Sequence, residues 1–330
     1  MATLHETLHD CRGFAQRHGG RRRRCARCGR TWSVHKRRRG RRRRRVNRSL
    51  PKMVLVGREP TERLRQRRRC SRYALYRRVR QAFHWLVKQP SAVSLPAETD
   101  LVLIVDGLWF AFQDRTWVLY NMALRPVMSD RAYLLDPVML EGKESGTRWR
   151  QALALSVSPD RHRRIRAFVT DGFHGAKGIA VDHGWVLQRC HWHVLSVLRV
   201  LLGSWRKTTR WRKVRNTCYR LIREALRTPD EARVQQICSE LRCVTQRRLC
   251  PVRLRYVVNG FVTDVDDFRA YIRHPELRLP RTVSAMESLH SRMRHAARCT
   301  KTSRATLLRL RSLLKLTPTI CCRAAKIPQN

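Results

Sequence analysis

Acidic residues are scarce. The 330-residue chain has 24 Asp and Glu against 72 Lys and Arg, a formal net charge of +48. A chain this basic repels itself and calls for a polyanion close by. Nucleic acid is the expected one, and an ordinary small-metabolite enzyme is not expected. Lysine is scarce too, 10 residues against 62 Arg. Long apolar runs are lacking. Leu101 to Phe112 is too short to span a bilayer and carries Asp106, and the short run Val194 to Trp205 carries Arg199, so no membrane partner is expected. The opening MATLHETLHD has no basic segment followed by an apolar one, so no secretory leader is expected. The twelve Cys lack the dense regular spacing of a secreted disulfide scaffold, which points to a reducing, cytoplasmic setting.

What is present is enough apolar material for a core. Hydrophobic residues make up 42% of the chain, which excludes a wholly disordered protein, and the length allows one to three domains. Charge is uneven along it. Residues 1–90 hold 30 Lys and Arg against 4 Asp and Glu, with Arg runs at 21–24, 37–39 and 41–45. Runs this dense read as a nucleic-acid arm. From Glu59 to Lys88 apolar residues recur at helical spacing, and Pro90 and Pro96 then mark a linker. Leu101–Val105 (LVLIV) reads as a buried central strand, Thr116–Leu124 and Ala132–Leu140 as a second and third strand, Ile165–Val169 and Trp185–Leu187 as a fourth and fifth. Gly142–Gly146 reads as a turn, and Arg148–Val157 and His174–Val181 as helices between the strands. The pattern is α/β with a mixed sheet. From His193 to Arg273 the chain reads as mostly helical, and Ser284 to Leu316 as one or two basic amphipathic helices.

With so few acids, their places are informative. Asp106 closes the first buried strand (LIVDG) and Asp171 the fourth (AFVTDG). On neighbouring strands these carboxylates would lie side by side and repel, and a divalent cation resolves that repulsion. Mg2+ prefers oxygen ligands, and two such ions about 3.5–4 Å apart suit phosphodiester cleavage. An Asp-Gly after a strand is also a common turn. Glu287, in SAMESLHSRMR, is the candidate third acid, and Asp136, followed by Pro137, reads as structural.

Asp106, Asp171 and Glu287, spaced by 65 and 116 residues, resemble the DDE triad of transposases of the Mutator-like type, which includes a bacterial insertion-sequence family. VTDGFHGAKGIA resembles the segment after that family's second Asp. VLQRCHWH resembles its Cys-x-x-His element, here Cys190 and His193. PRTVSAMESLHSRMR resembles the segment around its last acid. The resemblance covers about residues 100–310. Val283 and Ser284 depart from the Thr-Asn frequent in relatives, and VLSVLR follows His193 in place of an Arg-Asn pair. The resemblance implies an RNase H-like mixed sheet interrupted by an all-helical insertion, and a basic N-terminal DNA-binding region. It implies metal-assisted cleavage of double-stranded DNA at element ends by water, then attack of the freed 3′-hydroxyl on target DNA. Asp106, Asp171 and Glu287 would bind Mg2+ or Mn2+. The protein would act as a homo-oligomer, in the cytoplasm with the nucleoid. A decayed, non-enzymatic DNA-binding remnant and another RNase H-like nuclease stay open as alternatives.

The expected organisation is a basic arm with a partial zinc-ribbon-like knuckle at 1–49, a helical region with a possible helix-turn-helix and a linker at 50–98, the first part of the catalytic core at 99–189, the helical insertion at 190–280, and the end of the core at 281–330. Cys25-x-x-Cys28-Gly has zinc-knuckle spacing, with Cys11, His9 or His18 upstream to complete a Zn2+ site; a truncated ribbon is the other reading. Cys190 and His193 supply two of the four ligands zinc needs, and packing of the sheet–insertion junction is favoured for them. DNA contact is expected from Arg21, Arg22, Arg23, Arg24, Arg41, Arg42, Arg43, Arg44, Arg45, Arg281 and Arg292, because guanidinium groups pair bidentately with phosphate. Trp205 and Trp211 read as core residues, with base stacking as the alternative.

Overall fold

The computed structural model describes residues 15–18, 22–33, 46–90, 94–97, 99–204, 209–248, 250–298 and 300–325. The chain divides into two compact units, up to Asn47 and from Arg48.

The first unit is a small antiparallel sheet of β1 (Ala15–Arg17), β2 (Arg22–Cys25) and β3 (Thr31–Ser33), in that order. Arg22, Arg23 and Arg24 therefore form its middle strand rather than part of a loose arm. Arg21 and Arg41 to Arg45 lie outside the described residues. The β2–β3 turn carries Cys25 and Cys28. The Cys25 N–H donates to Arg30 O (2.8 Å), the Gly29 N–H to Cys25 O (2.9 Å) and the Cys28 N–H to Cys25 Sγ (3.5 Å). Gly29 has φ +69°, a left-handed conformation that suits glycine.

The second unit opens with α1 (Leu50–Leu55), α2 (Thr61–Arg67) and α3 (Arg72–Val87). Pro51 fits the first turn of α1, where its missing N–H costs nothing, and Ser71 caps α3 by accepting from Ala74 N–H (3.2 Å). Then β4 (Leu101–Phe112) and β5 (Arg115–Pro126) form a long hairpin. Its two-residue turn, Gln113 and Asp114, has both φ positive, as the strands' twist requires. β6 (Arg131–Leu134) and β7 (Val138–Glu141) both pair with β5. The sequence leads one to expect a single strand here, but Pro137 cannot donate a ladder hydrogen bond and the run divides around it. α4 (Gly146–Ser156) and α5 (Pro159–Arg163) lead to β8 (Ile165–Thr170), and α6 (Ala176–His183) leads to β9 (Val186–Arg189). β8 runs parallel to β4, and β9 parallel to β8.

Five helices follow: α7 (His191–Ser204), α8 (Thr209–Ala225), α9 (Glu231–Gln246), α10 (Val252–Thr263) and α11 (Val265–Arg273). They share their own core, including Leu221, Ile237, Leu254 and Phe261. After a 3-10 turn (Pro275–Leu277) come α12 (Ser284–Ala297), α13 (Ser303–Leu316) and β10 (Thr319–Cys321). The basic tail thus holds two helices, and ends in an unforeseen strand that pairs antiparallel with β6. The mixed sheet runs β10-β6-β5-β4-β8-β9, with β7 also on β5.

Both sheet faces are covered, and β4 alternates between them. Leu101, Leu103 and Val105 pack with Trp149 of α4 and Ile179 of α6. Val102, Ile104 and Leu108 pack with Met286 and Leu289 of α12, Leu313 of α13 and Phe83 of α3. A strand buried on both faces reads as a continuous apolar run, which is why LVLIV is one. The helices of 50–87 therefore bury their apolar sides in the sheet's own core. No helix among the described residues is long and apolar enough to cross a membrane.

Arg125 of β5 fastens the end of the five-helix segment to the sheet. It is fully buried. Nη1 donates to Ser129 O (2.8 Å) and Val127 O (3.3 Å), and Nη2 to Arg278 O (2.7 Å) and Leu277 O (3.2 Å). Arg125→Met keeps most of the volume but leaves these carbonyls without their donor. Its expected cost is about 3 kcal/mol, read as a lower thermal midpoint for the sheet-containing unit.

Candidate active site

Asp106 lies just past the buried LVLIV run, on the β4 face that carries Val102 and Ile104, and is 3% exposed. Asn121 of β5 is its cross-strand neighbour. On the other side, Ile104 pairs with Val169 of β8 in a register offset by 65 residues. That offset equals the Asp106–Asp171 spacing, so Asp171, the first residue after β8, falls level with Asp106. The Thr170 hydroxyl donates to Asp171 Oδ1 (3.1 Å). Gly172 follows with φ +92°, and a Cβ there would come within 2.5 Å of the Arg189 guanidinium. The turn that aims Asp171 thus suits glycine.

Glu287 stands in the first turn of α12, whose Met286, Leu289 and Met293 enter the core. His290 follows at i+3, on the same side of the helix. Ligand atoms of Asp106, Glu287 and His290 all lie within 4.8 Å of one another. His290 Nδ1 is 3.5 Å from Asp106 Oδ2, and its Nε2 is 3.0 Å from Asn121 Nδ2. His193 Nε2 is 3.3 Å from Glu287 Oε1. The structure therefore gathers Asp106 and Glu287 with His290 and sets Asp171 level with Asp106, outside that group.

Cys190 is fully buried at the end of β9. Its N–H donates to Thr170 O (2.8 Å), and its Sγ accepts from Val283 N–H (3.3 Å). Burial pushes its thiol up to about 11, so it stays protonated. It works as a clip between the sheet and the start of α12, whereas His193 reaches Glu287. Cys218, Cys238 and Cys250 are buried in the five-helix segment. Among the described residues, Asp106, Glu287 and His290 are the one group of three or more side chains placed to hold a metal. Cys25 is buried and Cys28 exposed in the first unit; Cys11 and His9 lie outside the described residues, and His18 is exposed. Arg281 lies over the Tyr271 ring, 5.8 Å from its centre, and Arg292 is half-buried on α12. Trp205 and the Trp211 side chain lie outside the described residues.

Electrostatics sets the site apart. Burial pushes Asp106 up to about 9, with the nearby charges of Asp171, Glu287 and Glu144 adding to it. Glu144 is itself raised, chiefly by burial. It accepts from the Trp149 indole N–H (2.8 Å), and it presses so close to Gly107 that a Cβ there would meet Oε1 at 2.6 Å. His290 is pulled down to about 4 by burial, then by the charges of Arg294 and His193, and is a neutral imidazole at ordinary pH. Asp106 Oδ2 and Asn121 Oδ1 are buried with no hydrogen-bond partner among the described residues. A buried carboxylate oxygen without a donor, ringed by other carboxylates, is chemically suited to a divalent cation.

Glu144, Asn121 and His290 are site residues that the motifs do not announce. Glu144 sits in the Gly142–Gly146 turn and Asn121 in an apolar strand. His290 is the one with a signal in the sequence, its i+3 spacing from Glu287. No model of a known protein family matches the chain, and neither does any curated protein sequence compared with it.

Because Asp106 binds its proton more tightly folded than unfolded, the fold loses stability as pH rises from about 4 to about 9. In metal-free buffer, Asp106→Asn should raise the thermal midpoint, by an increment that grows across that window. A pH-independent increment would contradict the assignment.

Proposed function

We propose that the chain is a transposase of the DDE type, with an RNase H-like core, that cuts double-stranded DNA at element ends and joins the freed 3′-hydroxyl to target DNA. The observation that carries this reading is the meeting of Asp106 and Glu287, 181 residues apart in sequence, with Asp171 just past the end of the neighbouring strand, level with Asp106. A mixed sheet interrupted by five helices between the second and third acids is the architecture the motif resemblance implies, and it supports the reading. So does the charge of +48, which suits a polyanionic substrate.

A divalent ion held by Asp106, Asp171 and Glu287 would activate the attacking oxygen and neutralise charge at the scissile phosphate. The chain's own contribution is to hold these carboxylates rigidly. Asp106 is fixed by a strand paired on both sides, Asp171 by the Thr170 hydroxyl, and Glu287 by α12 and His193. A homo-oligomer follows from the need to hold two element ends together, and a nucleoid-associated, cytoplasmic setting follows from the substrate.

The test is cleavage of the element's terminal DNA with Mg2+ or Mn2+, comparing wild type with Asp171→Ala and Glu287→Gln. Cleavage that needs metal and falls at least about a thousandfold in both variants is expected. Tight binding without cleavage, unchanged by either substitution, would leave a DNA-binding remnant instead. Duplex affinity should also fall by about 10³–10⁵ between 50 and 200 mM salt, the loss expected when 6–10 phosphates are contacted. A fluorescence-anisotropy salt titration reads this directly.

A further inference from the structure

His290 has no part in the function just proposed, yet it completes the group formed with Asp106 and Glu287. We propose that His290 Nδ1 is a direct ligand of the cation that Asp106 and Glu287 hold, making a mixed nitrogen–oxygen site that takes first-row transition ions in preference to Mg2+. The proposal rests on the metal-dependent reading of the three acids.

Distance is the first argument. Two atoms bound to one ion at about 2.0–2.2 Å, at roughly right angles or a little wider, lie about 3–3.5 Å apart. His290 Nδ1 and Asp106 Oδ2 are 3.5 Å apart. A hydrogen bond between them would be about 2.7–3.2 Å. Spacing along the helix agrees. Glu287 and His290 stand at i and i+3, the Glu-x-x-His arrangement by which helices present a carboxylate and an imidazole to one ion.

The far side of the ring supplies the second argument. A histidine that ligates through one nitrogen usually donates the other N–H to an oxygen, which fixes its tautomer and orientation. His290 Nε2 faces the side-chain amide of Asn121 at 3.0 Å, while Asn121 Oδ1 is buried without a partner. Half a turn of the amide about Cβ–Cγ exchanges its two nearly isosteric ends. Oδ1 then accepts from Nε2–H, and Nδ1 turns a lone pair toward the equally unpartnered Asp106 Oδ2. The one bond given up is long, 3.5 Å from Asn121 Nδ2 to Leu119 O. Imidazole nitrogen is a good donor to transition ions and a poor one to Mg2+, which prefers oxygen and keeps its water.

The experiment uses the full chain and Mn2+ as a paramagnetic probe, read by pulsed electron paramagnetic resonance. The wild-type spectrum should carry 14N modulation from a directly bound imidazole. His290→Ala should remove it and weaken Mn2+ at least about tenfold, with a smaller effect on Mg2+ measured by competition. His193→Ala should keep the modulation. Bound Mn2+ without 14N modulation in the wild type, a result that needs no variant, would overturn the proposal and make His290 a hydrogen-bond donor to Asp106. So would modulation lost in His193→Ala and kept in His290→Ala. In either case the carboxylate site would stand. Mn2+ binding indifferent to Asp106→Asn would instead remove the reading of the acids on which the proposal rests.

Discussion

Asp106 places a carboxylate in the middle of a sheet covered on both faces, with Asp171, Glu287 and Glu144 close enough to raise its pKa further. Low dielectric penalises the charge, and each neighbouring carboxylate adds to the penalty. A shift to about 9 means that at ordinary pH the group is protonated unless a positive charge joins it. The surrounding fold can be understood as the frame that makes this arrangement tolerable. Alternation along β4 gives each face a continuous core above and below the acid. Asn121 and His290 supply polar neighbours without supplying a charge.

The third acid comes from far along the chain, and its placement depends on bonds to backbone. Cys190 Sγ accepts from Val283 N–H, and His191 N–H donates to Arg281 O (2.9 Å). Gln188, buried on β9, donates to Phe268 O (3.0 Å) and accepts from Tyr271 N–H (2.8 Å). Arg125 holds the carbonyls of Leu277 and Arg278. The far end of the five-helix segment is therefore fastened to the sheet, and its start to the chain that leaves it, through main-chain atoms. These fastenings depend little on which side chains the segment carries. The helices can keep a separate core while the start of α12 stays fixed beside Asp106.

Much of this was legible in the sequence, for identifiable reasons. β4 and β8 read as strands because burial on both faces makes them continuous apolar runs. Asp106 and Asp171 stood out because acids are scarce and both close such runs. What was not legible depends on tertiary pairing. β10 is three residues long and exists by virtue of β6. Arg22 to Arg24 read as an arm because only β1 and β3 make them a strand. The 65-residue spacing supports the family resemblance, but its meaning as a strand register depends on the parallel pairing of β4 and β8. Glu144 reads as part of a turn, and its approach to Gly107 follows from how α4 packs on the sheet.

The acids also differ in their company. Many of the other acids pair with arginine or lysine, as Glu231 does with Arg269 and Arg273, and as Asp264 does with Arg189 and Lys177. None of Asp106, Asp171, Glu144 and Glu287 has an arginine or lysine ion-pair partner among the described residues; Asp106 and Glu287 face histidines instead. With 72 Lys and Arg in the chain, a guanidinium is the nearest remedy for a cluster of carboxylates. It would relieve the repulsion and also occupy the position a cation needs. A permanent internal counter-ion would lower the pKa of Asp106 at the expense of the site's chemistry. The uncharged imidazole of His290 leaves the negative field in place. Under the proposed function, the surrounding positive charge would act at longer range, on a polyanionic substrate, without itself neutralising the cluster.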